Sequence, residues 1–355
     1  MAEFGVYVHI PFCRSRCDYC SFATWTDRGH LVDDYVDAVV ADVARATADG
    51  MPAADTVFVG GGTPTLIDPA HIARIISALP LAAEPEITVE CNPDDVTGPL
   101  MDTFAGAGVS RVSIGVQSMV PHVLGALGRA HDPANVRAAV SRARSAGIER
   151  VNLDLIYGAA GESTDDWRIT LEGALELSPT HVSAYALTVE AGTPLADDPA
   201  RHPDDDEQAD KYVVADDMLT SAGLANYEIS NWSLPGHECR HNMVYWEQGN
   251  YLGFGCAAHS HQDGRRWWNV RTPDRYVDLV RSGGSVTAAD EHLEPAVREF
   301  ERLELSLRTR RGVPLSALDH NDEVLEGLVE VHGDRVVLTR AGRLLANDIS
   351  TRLNG

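Results

Sequence analysis

Long apolar runs are missing from this sequence. No stretch approaches the roughly 18 apolar residues that cross a bilayer, and the first residues lack a basic segment followed by an apolar one. We therefore expect a cytoplasmic protein without a transmembrane segment. In that reducing compartment, clustered cysteines are more often metal ligands or reactive thiols than disulfides.

Basic residues are also scarce. Lysine and arginine number 29 against 53 aspartate and glutamate residues, the formal net charge is −24, and Lys211 is the only lysine. Affinity for nucleic acid rests largely on neutralisation of phosphates by basic side chains. The composition therefore argues against DNA or RNA as a partner.

Short apolar, β-branched runs alternate with helical patterns along the first half of the chain. Such alternation is typical of repeated βα units around a parallel sheet. Six units fit a partial, partly open (β/α)6 TIM-like barrel, an α/β fold, better than a closed eight-stranded one. The runs are FGVYVHI (4–10), DTVFVG (55–60), EITVE (86–90), RVSIGV (111–116), RVNLDLIYG (150–158) and HVSAYALT (181–188).

Polar or glycine-rich features stand at the end of five of these runs and, as Asp154, within the fifth run. In barrels of this kind the functional groups gather at the carboxyl ends of the strands. We therefore expect these residues to face one cavity. In chain order they are Cys13, Cys17, Cys20, the GGGTPT segment (60–65), Glu90, Gln117, Asp154 and Thr188.

The sequence divides into three predicted units. Residues 1–195 carry the barrel pattern, and residues 196–284 form an acidic connection followed by an aromatic, glycine-rich stretch. Residues 285–355 read as helix, short helix, hairpin and helix, the outline of a small α+β winged-helix-like domain. A basic cluster at 308–311 lies in that domain, and given the overall acidity we favour a lid or partner-docking role over nucleic acid.

The CxxxCxxC spacing of Cys13, Cys17 and Cys20 places three thiols on one loop. A tetrahedral zinc site would need a fourth ligand, which His9 would have to supply, and free thiols in a structural loop are another alternative. An iron–sulfur cube held by three cysteines leaves one iron without a protein ligand. That iron can bind a small molecule, and we favour this interpretation.

The triplet, with Tyr19 before Cys20, resembles that of the radical S-adenosylmethionine (SAM) superfamily. The resemblance implies that the three cysteines hold a 4Fe-4S cluster and that SAM chelates the open iron through its amino and carboxylate groups. It also implies that an electron cleaves SAM to a 5'-deoxyadenosyl radical. The superfamily's six-unit βα barrel agrees with the number of runs found here.

Further motifs narrow the resemblance to the HemN/HemW family of oxygen-independent coproporphyrinogen III oxidases and heme chaperones. They are YVHIPFC, GGGTPT, VECNP, SIGVQS, LGRAH and NLDLIYG. The resemblance implies that Tyr7, Gly61 and Glu90 contact the cluster-bound SAM. Other residues match positions that touch a second SAM in the oxidase, namely Gly62, Thr63, Gln117, Arg129, Asp154 and Thr188.

Two departures from the oxidase branch favour the heme chaperone branch. The oxidases have a further cysteine two residues after the third and a long N-terminal extension. Here Phe22 occupies that position, and the chain begins twelve residues before Cys13. Whether the protein is an enzyme is therefore left open.

Proteins of the chaperone branch share an HNxxYW motif, which here runs from His241 to Trp246. Histidine is a common axial heme ligand, and aromatic side chains suit the face of a porphyrin. His241 is therefore a candidate heme ligand. The alternative is a histidine that forms hydrogen bonds within a packed aromatic core. Cys239, Cys256 and His259 are further donors in the same region.

The resemblance thus implies a heme chaperone that binds a 4Fe-4S cluster, SAM and heme. It would deliver heme to acceptor proteins, such as respiratory enzymes, and take its electron from a separate donor. One alternative is an oxidase that decarboxylates coproporphyrinogen III propionates. Another is a structural cluster protein with a vestigial SAM site. The sequence leaves open whether the chain forms a homodimer.

Overall fold

The structure is a computed structural model that describes residues 3–129 and 131–354. Ala130 of the LGRAH motif, residues 1–2 of the first predicted unit and residue 355 of the last lie outside the described residues.

Six parallel strands form the centre of the fold, and each consecutive pair is hydrogen-bonded in parallel register. This confirms the predicted α/β class and the six βα runs. The strands are β1 (Gly5–Ile10), β2 (Ala54–Gly61), β3 (Leu81–Cys91), β4 (Arg111–Gln117), β5 (Arg150–Tyr157) and β6 (His181–Ala186).

Helices connect these strands, and several begin at a side chain that caps the first turn. Asp68 and Asp132 each accept a hydrogen bond from a backbone amide two residues on, and Ser163 and Asp166 form a reciprocal capping box. The helices are α1 (Val32–Ala48), α2 (Pro69–Ala78), α3 (Gly98–Gly106), α4 (Pro121–Ala126), α5 (Pro133–Ser145), α6 (Thr164–Leu175) and α7 (Asp205–Ser221).

The main core lies between the sheet and these helices. In β1, Val6, Val8 and Ile10 are fully buried in this cluster. Their neighbours in the strand point to the opposite face, because successive side chains of a strand alternate. There the ring of Tyr7 lies near Phe58, and Phe58 in turn stacks on His241. The inner face of the barrel therefore carries aromatic and polar groups.

Six further strands, of three to six residues, extend the sheet at both edges, so that it contains twelve strands among the described residues. β7 and β8 follow β6, while β9 pairs in parallel with β1 and leads to β10, β11 and β12. The sheet ends at β12 and β7 and stays open, as predicted. The strands are β7 (Ala225–Glu228), β8 (Asn231–Ser233), β9 (Tyr251–Phe254), β10 (His259–Gln262), β11 (Arg265–Asn269) and β12 (Thr287–His292).

Two helices lie within this extension. Helix α8 (Arg240–Trp246) carries the HNxxYW motif, and α9 (Pro273–Arg281) packs against α1. The sequence does not predict the strands β7 to β10, because they are only three or four residues long and show no sustained alternation. The predicted unit boundaries stay predictions, although β12 is hydrogen-bonded to β11 of the large sheet.

The C-terminal residues form a small antiparallel sheet with its own hydrophobic cluster. The predicted hairpin is present, with His332 opposite Arg335. The single helix predicted after this hairpin is two short helices in the structure. The elements are α10 (Pro295–Leu307), β13 (Val313–Pro314), β14 (Val329–His332), β15 (Arg335–Leu338), α11 (Arg340–Leu344) and α12 (Ala346–Ser350).

Within the described part of the chain, no helix combines the length and the apolar character needed to cross a membrane.

Candidate functional site

The three cysteines lie on the loop that follows β1. Two backbone hydrogen bonds close the neck of this loop, from Cys13 N to Trp25 O (3.1 Å) and from Trp25 N to Pro11 O (2.8 Å). The thiols of Cys13, Cys17 and Cys20 are unpaired, half-buried and line one cavity. Burial raises the pKa values of Cys13 and Cys20, so both favour the thiol form in the absence of a bound metal.

The zinc alternative is wrong, because His9 is not available as a ligand. Its Nε2 lies 2.9 Å from the carbonyl oxygen of Ala23, and its Nδ1 lies 2.9 Å from the Tyr7 hydroxyl. A carbonyl oxygen only accepts, so Nε2 carries the proton and Nδ1 accepts from Tyr7. No three His, Cys, Asp or Glu side chains of residues 3–129 and 131–354 converge on a single ion. An iron–sulfur cube binds each cysteine at a different iron and requires no such convergence.

A cavity of about 460 Å³ lies at the carboxyl ends of the parallel strands, beside the cysteine loop. The prediction that the residues at the strand ends face one cavity is confirmed. Of the residues predicted for the site, all but Tyr7 and His241 line it: Cys13, Cys17, Cys20, Gly61, Gly62, Thr63, Glu90, Gln117, Arg129, Asp154 and Thr188.

The glycine-rich turn after β2 packs directly against the cysteine loop. The amide of Gly62 donates to the carbonyl of Ile10, and the amide of Thr63 donates to the carbonyl of Phe12, each at 2.8 Å. A Cβ at Gly62 would stand 2.7 Å from both carbonyl oxygens and 3.1 Å from the Cys13 sulfur. The turn therefore does more than reverse the chain, since no side chain fits between it and the loop.

Tyr7 lies behind this turn rather than in the cavity wall. Its hydroxyl is 3.0 Å from the point that a Cβ on Gly61 would occupy. Gly61 also donates its amide proton to Oε2 of Glu90 at 3.0 Å. Tyr7 thus packs against the glycine turn on the side away from the cavity. A direct contact between Tyr7 and a ligand stays a prediction.

Two half-buried carboxylates, Glu90 and Asp154, face the cavity. Burial, reinforced by the charge of Asp154, raises the pKa of Glu90 to about 7. Burial also raises the pKa of Asp154, against the effect of hydrogen bonds that Asp154 accepts from Ser113 (2.7 Å) and Asn152 (2.8 Å). A cationic ligand would relieve the repulsion between the two carboxylates, so this arrangement suits a cation.

The side chains of Arg129 and Gln117 both lie against β4 at Gly115, which has no side chain of its own to exclude them. Nη2 of Arg129 donates to the Gly115 carbonyl at 3.1 Å, Nη1 lies 3.7 Å from the Cys17 sulfur, and Nε is buried without a partner among the described residues. Gln117 has a φ of 61°, in the left-handed region. A Cβ at Gly115 would be 3.0 Å from both side chains. Gly115 was not among the predicted site residues, although a glycine inside a strand often marks a close approach.

His241 lies within the barrel on α8 and lines neither this cavity nor the second one described below. Its Nδ1 is 2.8 Å from the Thr56 hydroxyl, and its Nε2 is 2.8 Å from the Tyr245 hydroxyl. Burial lowers its pKa to about 3, so the ring is neutral. With both nitrogens engaged, the ring has no free lone pair for iron, which agrees with the alternative of a hydrogen-bonded core histidine. A heme-binding role for His241 stays a prediction based on the motif alone.

A second cavity of about 430 Å³ lies between α8 and α10. Asn242, Tyr245 and Trp246 of the HNxxYW motif line one wall, and Leu305 and Arg308 line the other. Tyr185, at the end of β6, lines both this cavity and the one beside the cysteines. Sequence reasoning missed Tyr185. The available signal was an aromatic residue at the functional end of a strand.

Comparison with known proteins identifies the family. The sequence profile of the radical SAM superfamily matches residues 7–174. The heme chaperone HemW of Mycobacterium tuberculosis is 41% identical, covering 99% of this chain and 95% of that protein. The heme chaperone HemW of Escherichia coli is 34% identical, covering 97% of this chain and 96% of that protein.

The fold also matches that of a solved structure. Coproporphyrinogen III oxidase (HemN) from Escherichia coli, described as a radical SAM enzyme, superposes with a TM-score of 0.84 at 23% identity. The match covers 98% of this chain and 89% of that one, and it confirms the architecture. From the relatives and the profile together, the chain belongs to the HemW heme chaperone family within the radical SAM superfamily.

Proposed function

We propose that this protein is a radical SAM heme chaperone, which binds a 4Fe-4S cluster, SAM and heme and transfers heme to acceptor proteins. The observation that supports it best is the single cavity shared by three loop thiols, a glycine turn and two half-buried carboxylates. Family membership supports the heme-related role, since the relatives covering nearly the whole chain are named heme chaperones.

The donor set fits the cluster and its small-molecule ligand. Cys13, Cys17 and Cys20 would hold three irons and leave the fourth iron facing the cavity. The glycine turn at 60–62 brings backbone without side chains to the cavity. The amide of Gly61 already donates to the carboxylate of Glu90. Glu90 and Asp154 would face the amino group and the cationic sulfonium of SAM, and the guanidinium of Arg129, which lines the same cavity, could bind an anionic group.

The protein's own residues position and shield the bound groups. The Cys13–Trp25 pairing and the Gly62–Ile10 hydrogen bond fix the cysteine loop against the barrel. His9 holds the Tyr7 hydroxyl beneath the glycine turn. When bound, the cluster would supply one electron for reductive cleavage of SAM. The electron would come from a separate donor, and the heme acceptor would be another protein.

The predicted division of the chain is retained as part of the proposal. The barrel, residues 1–195, would carry the cluster and SAM. The region 196–284 would contribute the HNxxYW helix to heme binding, and the C-terminal unit, residues 285–355, would cover that helix. Contacts between the C-terminal unit and the remainder support this role, because Arg310 pairs with Glu238 beside α8.

Heme titration of anaerobically reconstituted protein tests this proposal. We expect saturable, stoichiometric binding, followed by transfer of the bound heme to an apo-acceptor. Protein in which Cys13, Cys17 and Cys20 are replaced by serine serves as the control for the contribution of the cluster. Absence of stoichiometric heme binding would remove the proposal. Formation of protoporphyrinogen IX from coproporphyrinogen III at useful turnover would favour the oxidase alternative instead.

A further inference from the structure

The second cavity, between the HNxxYW helix and the C-terminal unit, has the chemistry of a site for a flat apolar ligand. Tyr185, Tyr245 and Trp246 supply aromatic surface, and Ile229 and Leu305 supply aliphatic surface. Its volume of about 430 Å³ falls within the range of roughly 300 to 1,000 Å³ that is typical of small-molecule sites. Aromatic rings favour offset stacking on a planar conjugated ligand.

A single cationic side chain, Arg308, lies in the described wall of this cavity. Its Nη1 donates to the Glu304 carbonyl at 2.7 Å and its Nη2 to the Asn347 side-chain oxygen at 2.8 Å. Within the described residues it contacts no carboxylate. In contrast, the next arginines in the cluster, Arg310 and Arg311, pair with Glu238 and Glu247.

The carboxylate in the same wall, Glu228, is already satisfied. It accepts hydrogen bonds from the Ser230 amide (2.9 Å) and from the Asn231 side chain. Burial raises its pKa, against the effect of these hydrogen bonds. Arg308 is therefore the charged side chain that is available to bind a ligand in this cavity.

We propose that Arg308 binds a carboxylate of the ligand in this second cavity, and that the ligand is a porphyrin whose apolar face packs on Trp246 and Tyr185. The inference rests on the proposed function, which supplies heme as the ligand and assigns the HNxxYW helix to its binding. It adds the second cavity as the pocket and Arg308 as the residue that selects for the propionate. A guanidinium and a carboxylate form paired, charge-assisted hydrogen bonds, which gives both affinity and orientation.

The location has a structural consequence. Tyr185 separates the second cavity from the cavity beside the cysteines, since its side chain lines both. A porphyrin in the second cavity would thus lie on the opposite side of one aromatic ring from the cluster and SAM site.

The test compares heme with heme dimethyl ester, in which both propionates are uncharged. Both are titrated by absorption into anaerobically reconstituted wild-type protein and into Arg308→Gln. We expect the wild type to prefer heme over the ester by about tenfold or more, because a charge-assisted hydrogen bond contributes enough for that ratio. Arg308→Gln should lose this preference, and Arg308→Lys should recover part of it.

Two control variants separate recognition from structure. Arg302→Gln removes an arginine from the same helix that pairs with Glu299, and should leave the ratio unchanged. Asn347→Ala removes one intramolecular partner of Arg308 while keeping the guanidinium, and should also preserve the ratio.

The outcomes distinguish the two proposals. If wild-type protein binds neither compound, the proposed function fails. If wild-type protein binds heme but Arg308→Gln keeps the wild-type preference over the ester, the role of Arg308 is refuted while the chaperone proposal stands.

Discussion

Replacement of Gly62 by alanine tests the contact between the glycine turn and the cysteine loop. The added Cβ would stand 2.7 Å from the carbonyl oxygens of Ile10 and Phe12. Both oxygens belong to the backbone and cannot rotate away. The turn and the loop must therefore separate, which strains the two 2.8 Å hydrogen bonds that join them.

The expected cost follows from this geometry. Overpacking in a well-packed region costs about 1 to 3 kcal/mol. Weakening two backbone hydrogen bonds adds about 0.5 to 1.5 kcal/mol for each one that is lost. If both bonds are lost, we expect Gly62→Ala to lower the free energy of unfolding by about 2 to 6 kcal/mol. The Cys13 sulfur is displaced as well, so iron bound after reconstitution should also fall.

The assay is urea unfolding of the metal-free protein, together with iron and sulfide analysis after anaerobic reconstitution. Gly98→Ala is the matched control, because a Cβ there meets nothing within 4 Å. That change is expected to be neutral or to stabilise by up to about 1 kcal/mol. If Gly62→Ala has the same free energy of unfolding and binds the same amount of iron as Gly98→Ala, the packing argument for the turn is refuted.

Three further predictions concern buried charged and polar groups. Because the pKa of Glu90 is about 7 and a cation prefers the ionised carboxylate, the affinity for SAM should rise between about pH 6 and pH 8. Equilibrium dialysis measures this affinity, and Glu90→Gln should make it nearly independent of pH over that range. Lys211→Met should lower the free energy of unfolding in urea by about 3 to 5 kcal/mol, because it leaves the buried carboxylate of Glu162, 3.6 Å from the Lys211 amine, without its cationic partner. A variant that unfolds at the same urea midpoint as the wild type would contradict this. His241→Ala should lower the free energy of unfolding by about 2 to 4 kcal/mol, because the ring forms hydrogen bonds with Thr56 and Tyr245. The absorption maximum of bound heme should stay the same, and a shifted maximum would indicate that His241 is an iron ligand.

The parallel core could be predicted because its signals are local and repeated. Each run from β1 to β6 is β-branched and fully buried at alternate positions, and each ends in a polar or glycine-rich segment. Parallel strands bring these ends to one edge, so residues as distant as Cys13 and Thr188 meet without any long-range signal in the sequence.

The extension of the sheet could not be predicted in the same way. β8 has three residues and β9 has four, and pairing with β6 and β1 rather than intrinsic propensity makes them strands. Such short segments carry too little pattern to be separated from loops.

The role of His241 also depends on context that the sequence does not contain. A histidine near aromatic residues is compatible with an iron ligand and with a hydrogen-bonded core residue. The three-dimensional neighbours, the hydroxyls of Thr56 and Tyr245, favour the hydrogen-bonded core residue. The basic cluster at 308–311 is a similar case, since Arg310 and Arg311 pair within the chain while Arg308 faces a cavity.

Electron paramagnetic resonance of the reduced, anaerobically reconstituted protein, recorded with and without SAM, tests the central claim most directly. If the three loop thiols hold a cluster with one iron open to the cavity, SAM should change the spectrum, and replacement of Cys13, Cys17 and Cys20 by serine should abolish the signal. A spectrum that is identical with and without SAM, or a signal that survives the triple replacement, would contradict the account.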